Sequence, residues 1–382
     1  MTPAARIAAA ITVLDQILSG SPAEQALLRW SRASRFAGSG DRMALRDLVF
    51  GALRRRDSLA ALGGAMTGRG LMIGHARQAG LDLPAIFTGT RHDPAPLTEA
   101  EAASPPPGDL PDDLPDWLRP AWTAALGPQA AEVARAMTDR APLWLRVNLA
   151  RTDPARAAAA LADEGIDTDP APGFPQSLRV TSNDRAVARS AAYRDGLIEL
   201  QDLSPQQACA LLPLAPGLRV LDYCAGGGGK ALALGARQPG MTITAHDARP
   251  ARMADLPARA ERAGLRIAVE ARPRGPFHLV VTDVPCSGSG TWRRTPDAKW
   301  RLDAAQLDEL LALQARILDR AAPLVGPGGH LAYMTCSLLQ AENDAQIEAF
   351  HARQPGFAPV LRRLWTPLEG GDGFYLALMR RT

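Results

Sequence analysis

The spacing of apolar positions changes twice along this chain, and each change marks a new kind of structure. In "RIAAAITVLDQIL", Ile7, Ile11, Leu14 and Leu18 recur on one face at helical spacing. "DRMALRDLVFGALRRRDSLAAL" continues that register with Leu45, Leu48, Val49 and Leu53, so residues 4–66 are predicted to be helical. Proline and glycine then thicken, and "EAASPPPGDLPDDLPDW" predicts a linker. "LRPAWTAALGPQAAEVARAM" reads as helix. "LWLRVNLARTDPARAAAALADEGIDTDPAP" reads as strand, turn and helix, with Asp153 as N-cap and Gly165 as the stop. A small α+β module reaching about residue 200 accounts for that pattern. From Gly217 short apolar runs alternate with helices: "LRVLDYC", "MTITAHD", "FHLVVTDV", "GGHLAYMTC", and "GFYLALMRR" as a further strand. Uninterrupted apolar strands of this kind belong to a parallel sheet covered on both faces.

A chain of 382 residues exceeds one compact domain, so two or three are expected. Apolar residues at 46% and charged residues at 22% allow a sizeable core. A net charge of +3 is compatible with nucleic acid without requiring it. The N-terminus carries Asp15 and no long apolar core, so it reads as an amphipathic helix rather than a signal peptide. No apolar run is long enough to span a bilayer, and a soluble, cytoplasmic, monomeric protein with no membrane partner is expected. Cys209, Cys224, Cys286 and Cys336 are too few for a disulfide framework, and none forms a CxxC pair, so no metal site is expected.

Of the 43 basic side chains only Lys230 and Lys299 are lysine. A planar guanidinium cannot replace a compact ammonium everywhere, which singles those two out. Between Arg32 and Arg56 seven arginines accompany two aspartates. On charge alone, a solvated helix face and a phosphate-contacting stripe explain them equally.

"RVLDYCAGGGGKALALGA" is strand, glycine loop and helix. Gly226, Gly227, Gly228 and Gly229 let backbone approach a ligand closely, and the helix start offers unpaired N–H groups. Asp247 closes the next strand about twenty residues on, where an acid can accept ribose hydroxyls. Loop and acid together point to an adenosine-bearing cofactor, either NAD or S-adenosylmethionine. Ligands in such sheets bind outside the carboxyl ends of the strands, where Cys286 and Cys336 also fall. A single cysteine is most simply a small buried hydrophobe. Two at adjacent strand ends beside a cofactor loop favour chemistry. Carbon 5 of a pyrimidine is a poor nucleophile until a thiolate adds at carbon 6. The site then needs a nucleophilic Cys, a carboxylate facing the base and a second group for release. Cys336, Asp283 and Cys286 supply that inventory.

These motifs resemble the Sun family of RNA (cytosine-5)-methyltransferases, above all its ribosomal-RNA-modifying RsmB or Fmu branch. The resemblance lies in "QDLSPQQACALL", "LDYCAGGGGK", "DVPCSGSGTWRRTPDAKW" and "YMTCSLLQAENDAQIEAF", with "LWLRVN" and "GDGFYLALM", and covers about residues 113–382. It implies a Rossmann-like methyltransferase domain with a mostly parallel seven-stranded sheet over residues 201–382. Before it would come an α+β, RNA-recognition-like module at 109–200 and an all-α, NusB-like RNA-binding domain with its linker at 1–108. It implies S-adenosyl-L-methionine as cofactor, held by Cys224, Ala225, Gly226 to Gly229, Lys230, Asp247, Glu270 and Asp283. It makes Cys336 the nucleophile and Cys286 the residue that aids release. Asp283 binds the target cytosine, and Lys230 sits close to base and cofactor. Ribosomal RNA, of the small subunit, is the implied partner, and the arginines are then read as a phosphate stripe.

Three departures stand out. Gly226 and Gly227 replace the Ala-Pro pair of the usual CAAPGGK loop, predicting a floppier loop. The acid that normally contacts adenine after Asp247 falls to Glu270 in the compressed "LRIAVEARPRGPFHLV". Residues 67–108 are short for the tail of a NusB-like domain. Lys299 either contacts RNA phosphate or holds the loop after the PCSG motif, and His246, His278 and His330 read as structural. A DNA cytosine methyltransferase would use Cys286 as nucleophile, and Cys336 argues against it. A non-catalytic RNA-binding factor leaves the thiol pair, Asp283 and Lys230 without purpose, and a nicotinamide dehydrogenase leaves both thiols unexplained.

Overall fold

The computed structural model describes residues 1–103 and 108–382. The chain forms two compact units: Met1–Arg140 with Trp292–Asp303, and Ala141–Thr291 with Ala304–Thr382. This partition differs from the expected 1–108, 109–200 and 201–382. Residues 109–140 pack with the N-terminal helices, and the stretch after the PCSG motif belongs to that unit as well.

The first unit is helical, led by Pro3–Leu18, Ala23–Ala33, Ser39–Arg54, Arg56–Gly63 and Gly68–Gln78. Its core is built from Ile7, Val13, Leu14, Leu45, Val49, Leu53, Leu59 and Leu71. The first helix turns slightly from the predicted face: Ala10 and Ile17 are buried with Ile7 and Leu14, while Ile11 and Leu18 are only half-buried. The centre of the expected linker, residues 104–107, lies outside the described residues. In its second half Asp113 and Leu114 are buried. Asp113, in the left-handed region at φ 56°, accepts hydrogen bonds from the N–H groups of Asp57 and Ser58 and from the Ser58 hydroxyl. It thereby caps the helix starting at Arg56.

Of the seven stripe arginines, Arg46 pairs with Glu24, Arg54 donates to the Arg293 carbonyl, Arg55 reaches Asp139 and Arg56 stacks on Trp300. Arg32, Arg35 and Arg42 remain exposed. Most of the stripe is therefore structural.

The second unit contains two sheets. The smaller is antiparallel, in the order β2 (Thr168–Ala171), β3 (Phe174–Val180), β1 (Trp144–Val147), β4 (Ile198–Leu200). Between β1 and β2 the helix Pro154–Ala162 starts where Asp153 accepts from the Arg156 N–H, and Gly165 turns the chain at φ 71°. Both features match the sequence reading.

The larger sheet has seven strands in the order β10, β11, β9, β8, β5, β6, β7. They are β5 (Arg219–Asp222), β6 (Thr242–Ala245), β7 (Ile267–Val269), β8 (Phe277–Asp283), β9 (Val325–Thr335), β10 (Phe357–Trp365) and β11 (Phe374–Arg381). Only β11 runs against its neighbours. β5 to β7 progress one way and β8 and β9 the other, which puts the topological switch point between β5 and β8. Strands β8 and β9 are buried on both faces, as their uninterrupted apolar runs require. β7 and β10 escaped the sequence reading for physical reasons. β7 is three residues long, and β10 is an edge strand, so it tolerates Pro359, a bulge beside it and exposure along most of its length. No helix among the described residues is long and apolar enough to cross a membrane.

Candidate active site

The carboxyl ends of β5, β6, β8 and β9 form one rim. Asp283 and Met334 are partners in the parallel β8–β9 register, so the loops that follow leave side by side. The Gly290 N–H donates to the Cys336 carbonyl at 2.9 Å and stitches the two loops together. The sulfurs of Cys286 and Cys336 consequently lie 3.3 Å apart, both half-buried and neither in a disulfide. The contact with Cys336, then burial, then the charge of Glu342 push the Cys286 thiol well above its ordinary value. Cys286 is thus a protonated thiol at neutral pH.

Three residues before Cys286, Asp283 pairs with Lys230. Lys230 is the second residue of the helix Gly229–Arg237 that follows the glycine loop, and it reaches across the switch point. Burial works against its charge, but Asp283 more than compensates and holds the ammonium above its ordinary value. The Phe374 ring, 5.4 Å away, supports the same ammonium. The structure therefore brings Lys230, Asp283, Cys286 and Cys336 to one rim.

The glycine loop is held rather than loose, which corrects the expected floppiness. Its start is tied to β6 by the Ala225 N–H and the His246 carbonyl. The Gly226 N–H donates to Asp247 at 2.9 Å, and Asp247 also accepts from the Arg249 N–H and from Arg252. Arg259 donates to the Gly227 carbonyl while paired with Glu199 of β4. Arginines occupy the space beside the missing side chains: a Cβ on Gly227 would meet Arg259 at 2.8 Å, one on Gly226 would meet Arg252 at 3.2 Å. Gly228 has φ 81°, and a Cβ there would collide with Leu256 at 2.1 Å. Only glycine fits that position.

Behind the loop, Arg146 of β1 donates to Gln201 and to the Gly229 carbonyl at 2.8 Å. Burial lowers Arg146 to about 10. Asp222, closing β5, is fully buried. One carboxyl oxygen accepts from the Ala231 N–H at 3.0 Å and the other has no partner. Burial pushes Asp222 up to about 7. Cys224 is raised by burial, and Cys209 is a core side chain. Glu270 is exposed just past β7, its backbone paired with Ala245 and His246. His278 accepts from the Arg219 N–H, a structural role as expected.

Lys299 is resolved. It is buried in the helical unit, where it donates to the Asp113 and Arg54 carbonyls and packs on Trp300. Burial lowers it to about 8. It holds the post-PCSG segment and has no access to phosphate.

The sequence reading missed the supporting shell: Arg252, Arg259 and Glu199 around the loop, and Gln314 and Glu342 beneath the thiols. Isolated arginines in an arginine-rich chain carry no signal. Glu342 lies in "SLLQAEND", close enough to Cys336 to have been suspected.

Models of two known families match stretches of this chain. The model for the 16S rRNA methyltransferase RsmB/F matches residues 209–367, and that for the ferredoxin-like domain of RsmF/B-like methyltransferases matches 114–187. The chain is 36% identical over 330 residues to ribosomal RNA small subunit methyltransferase B of Xanthomonas campestris, spanning 80% of this chain and 73% of that one. In fold it resembles PH0851, at TM-score 0.75 and 21% identity over 100% and 99% of the two chains. It also resembles NSun6 from Pyrococcus horikoshii, solved with SFG, at TM-score 0.61 and 14% identity over 70% and 98%. Fold and site define a Rossmann-like methyltransferase. More particularly, the chain belongs to the RsmB/F family of ribosomal RNA small subunit methyltransferases.

Proposed function

We propose that this protein methylates carbon 5 of a cytidine in 16S ribosomal RNA, in the cytoplasm, with S-adenosylmethionine as donor and Cys336 as nucleophile. The observation that carries the reading is the 3.3 Å approach of Cys286 and Cys336 on a rim shared with Asp283 and Lys230.

The residues around the glycine loop fit a nucleoside cofactor. The helix start at Gly229 is open to a ligand, since a Cβ there would meet nothing nearer than Gln201 Nε2 at 3.7 Å. Asp247 keeps acceptor capacity beyond its present bonds. SFG, bound in the P. horikoshii structure, is an S-adenosylmethionine analogue. Gly226 to Gly229, Asp247, and Asp283 with Lys230 would hold the cofactor, Glu270 is the candidate on the adenine side, and the cofactor supplies an electrophilic methyl group.

A flipped or unpaired cytidine enters with its edge toward Asp283 and Lys230. Sulfur of Cys336 bonds to carbon 6, and the ring's electron pair moves to carbon 5, aided by hydrogen bonding at ring N3 and the exocyclic amine. After carbon 5 is alkylated it loses its proton, the carbon 5–carbon 6 double bond re-forms, and Cys336 leaves. The thiol contact orders these steps. Before attack, Cys336 disfavours ionisation of Cys286, which keeps Cys286 out of competition as nucleophile. Once Cys336 is a thioether it has no charge or proton to share, so Cys286 can release its own proton to solvent and, as the thiolate, take the carbon 5 proton.

Incubating alanine variants with 16S RNA and S-adenosylmethionine, then probing for denaturant-resistant protein–RNA adducts, tests this. Cys336→Ala abolishes the adduct and Cys286→Ala accumulates it. The reverse pattern would assign the nucleophile to Cys286. A wild type that binds RNA but transfers no methyl would make the protein an assembly factor.

A further inference from the structure

Beneath the two thiols lies a carboxylate that the methylation chemistry does not use. Glu342, in the turn Gln340–Glu342 after β9, is fully buried. Its side-chain partners are all neutral. Four donors converge on it: the Ser287 N–H at 2.8 Å, the Gln314 amide at 2.9 Å, and the hydroxyls of Ser287 and Ser337. Ser287 directly follows Cys286 and Ser337 directly follows Cys336. Gln314, from the helix Ala304–Ala321, also donates to the Pro285 carbonyl, one residue before Cys286. The Tyr333 hydroxyl holds the Glu342 backbone carbonyl at 2.7 Å, and Asn343 bridges Thr335 and the Ser337 carbonyl.

A carboxylate offers acceptors only, so it satisfies four donors; a carboxamide would turn two protons toward them. Burying a charge without a counter-ion is costly, and an apolar side chain would serve packing at less expense. Its retention here is explained by what it joins: one side chain grips both cysteine loops.

We propose that Glu342 is a positioning residue that fixes the two sulfurs in contact by tying both cysteine loops to one buried side chain. This rests on the methyltransferase reading above. The groups that bear on Cys286 are Cys336 from the end of β9, Glu342 below, and the Gly288 N–H of its own loop. The charge of Glu342 opposes ionisation of Cys286.

The test is Glu342→Gln, backed by Ser337→Ala in case the first variant does not fold. Iodoacetamide labelling followed by mass spectrometry gives the Cys336:Cys286 ratio without RNA or cofactor. We expect that ratio to move at least threefold from its wild-type value in Glu342→Gln, and in the same direction but less far in Ser337→Ala. The rate of RNA adduct formation should fall about 100-fold in Glu342→Gln, with RNA and S-adenosylhomocysteine affinities within threefold of wild type. A merely structural role would lower binding and melting temperature together and leave the labelling ratio alone. An unchanged ratio in folded variants overturns the proposal. Absence of any wild-type adduct would overturn the function reading instead, and the labelling ratio would still decide the role of Glu342.

Discussion

Asp222 offers a quantitative check on the electrostatics of the cofactor end. It closes β5 with no solvent exposure, and one of its carboxyl oxygens has no hydrogen-bond partner. Burial raises it from the ordinary 3.8 to about 7, with the charge of Lys230 opposing and that of Asp283 assisting. Between those values the folded protein binds a proton that the unfolded chain releases. The stabilisation is complete below pH 4 and is lost as pH rises through 7. A displacement of this size corresponds to on the order of 4 kcal/mol. D222N keeps shape and the acceptor for the Ala231 N–H but cannot ionise. Wild type and D222N should therefore melt together near pH 4.5 and diverge by pH 8, where D222N melts higher by up to about 10 °C for a unit of this size. Thermal unfolding of both ligand-free proteins from pH 4.5 to 8.5 measures it. Parallel curves, with a constant offset at every pH, would refute the reasoning, because they would show that Asp222 stays ionised throughout.

Two further outcomes concern the loops. Arg259→Ala removes the donor to the Gly227 carbonyl and one of the two partners of buried Glu199. The loss of about 1.5 kcal/mol from such a charged hydrogen bond predicts roughly tenfold weaker S-adenosylhomocysteine binding by calorimetry, and unchanged affinity would mean the loop holds itself. Gly290→Ala would place a Cβ 2.2 Å from the Gly373 carbonyl oxygen, against backbone that cannot swing aside. Because Gly290 also donates to Cys336, the variant should lose about 1–3 kcal/mol of stability and adduct formation together. A stable, active variant would show that the loops can separate.

The arginine clamp also explains how the chain departs from the usual loop. Glycines at 226 and 227 would by themselves leave a freer backbone. Arg252 and Arg259 fill the vacated space and bond the loop from outside, one through Asp247 and one anchored by Glu199. Order lost from the loop sequence is restored by packing.

The sequence by itself determined whatever depends on local period and local chemistry. Apolar runs fixed β5, β6, β8, β9 and β11, Asp153 and Gly165 bounded their helix, and strand–glycine–helix followed by Asp247 placed the loop. Two thiols after two apolar runs pointed to the rim because strands of a parallel sheet end on the same side. Tertiary structure alone decided whatever depends on partners distant along the chain. Lys299 could equally contact RNA phosphate or hold its loop until its neighbours proved to be the carbonyls of Arg54 and Asp113, some 245 and 186 positions away. Four of the seven stripe arginines turned to partners within the chain, and a glutamate 55 residues from Ser287 became the tie between two loops. A side chain's type limits what it can do. Whether it meets water, a carbonyl or another sulfur is set by the fold, and pairing across such separations leaves no periodic trace in the sequence.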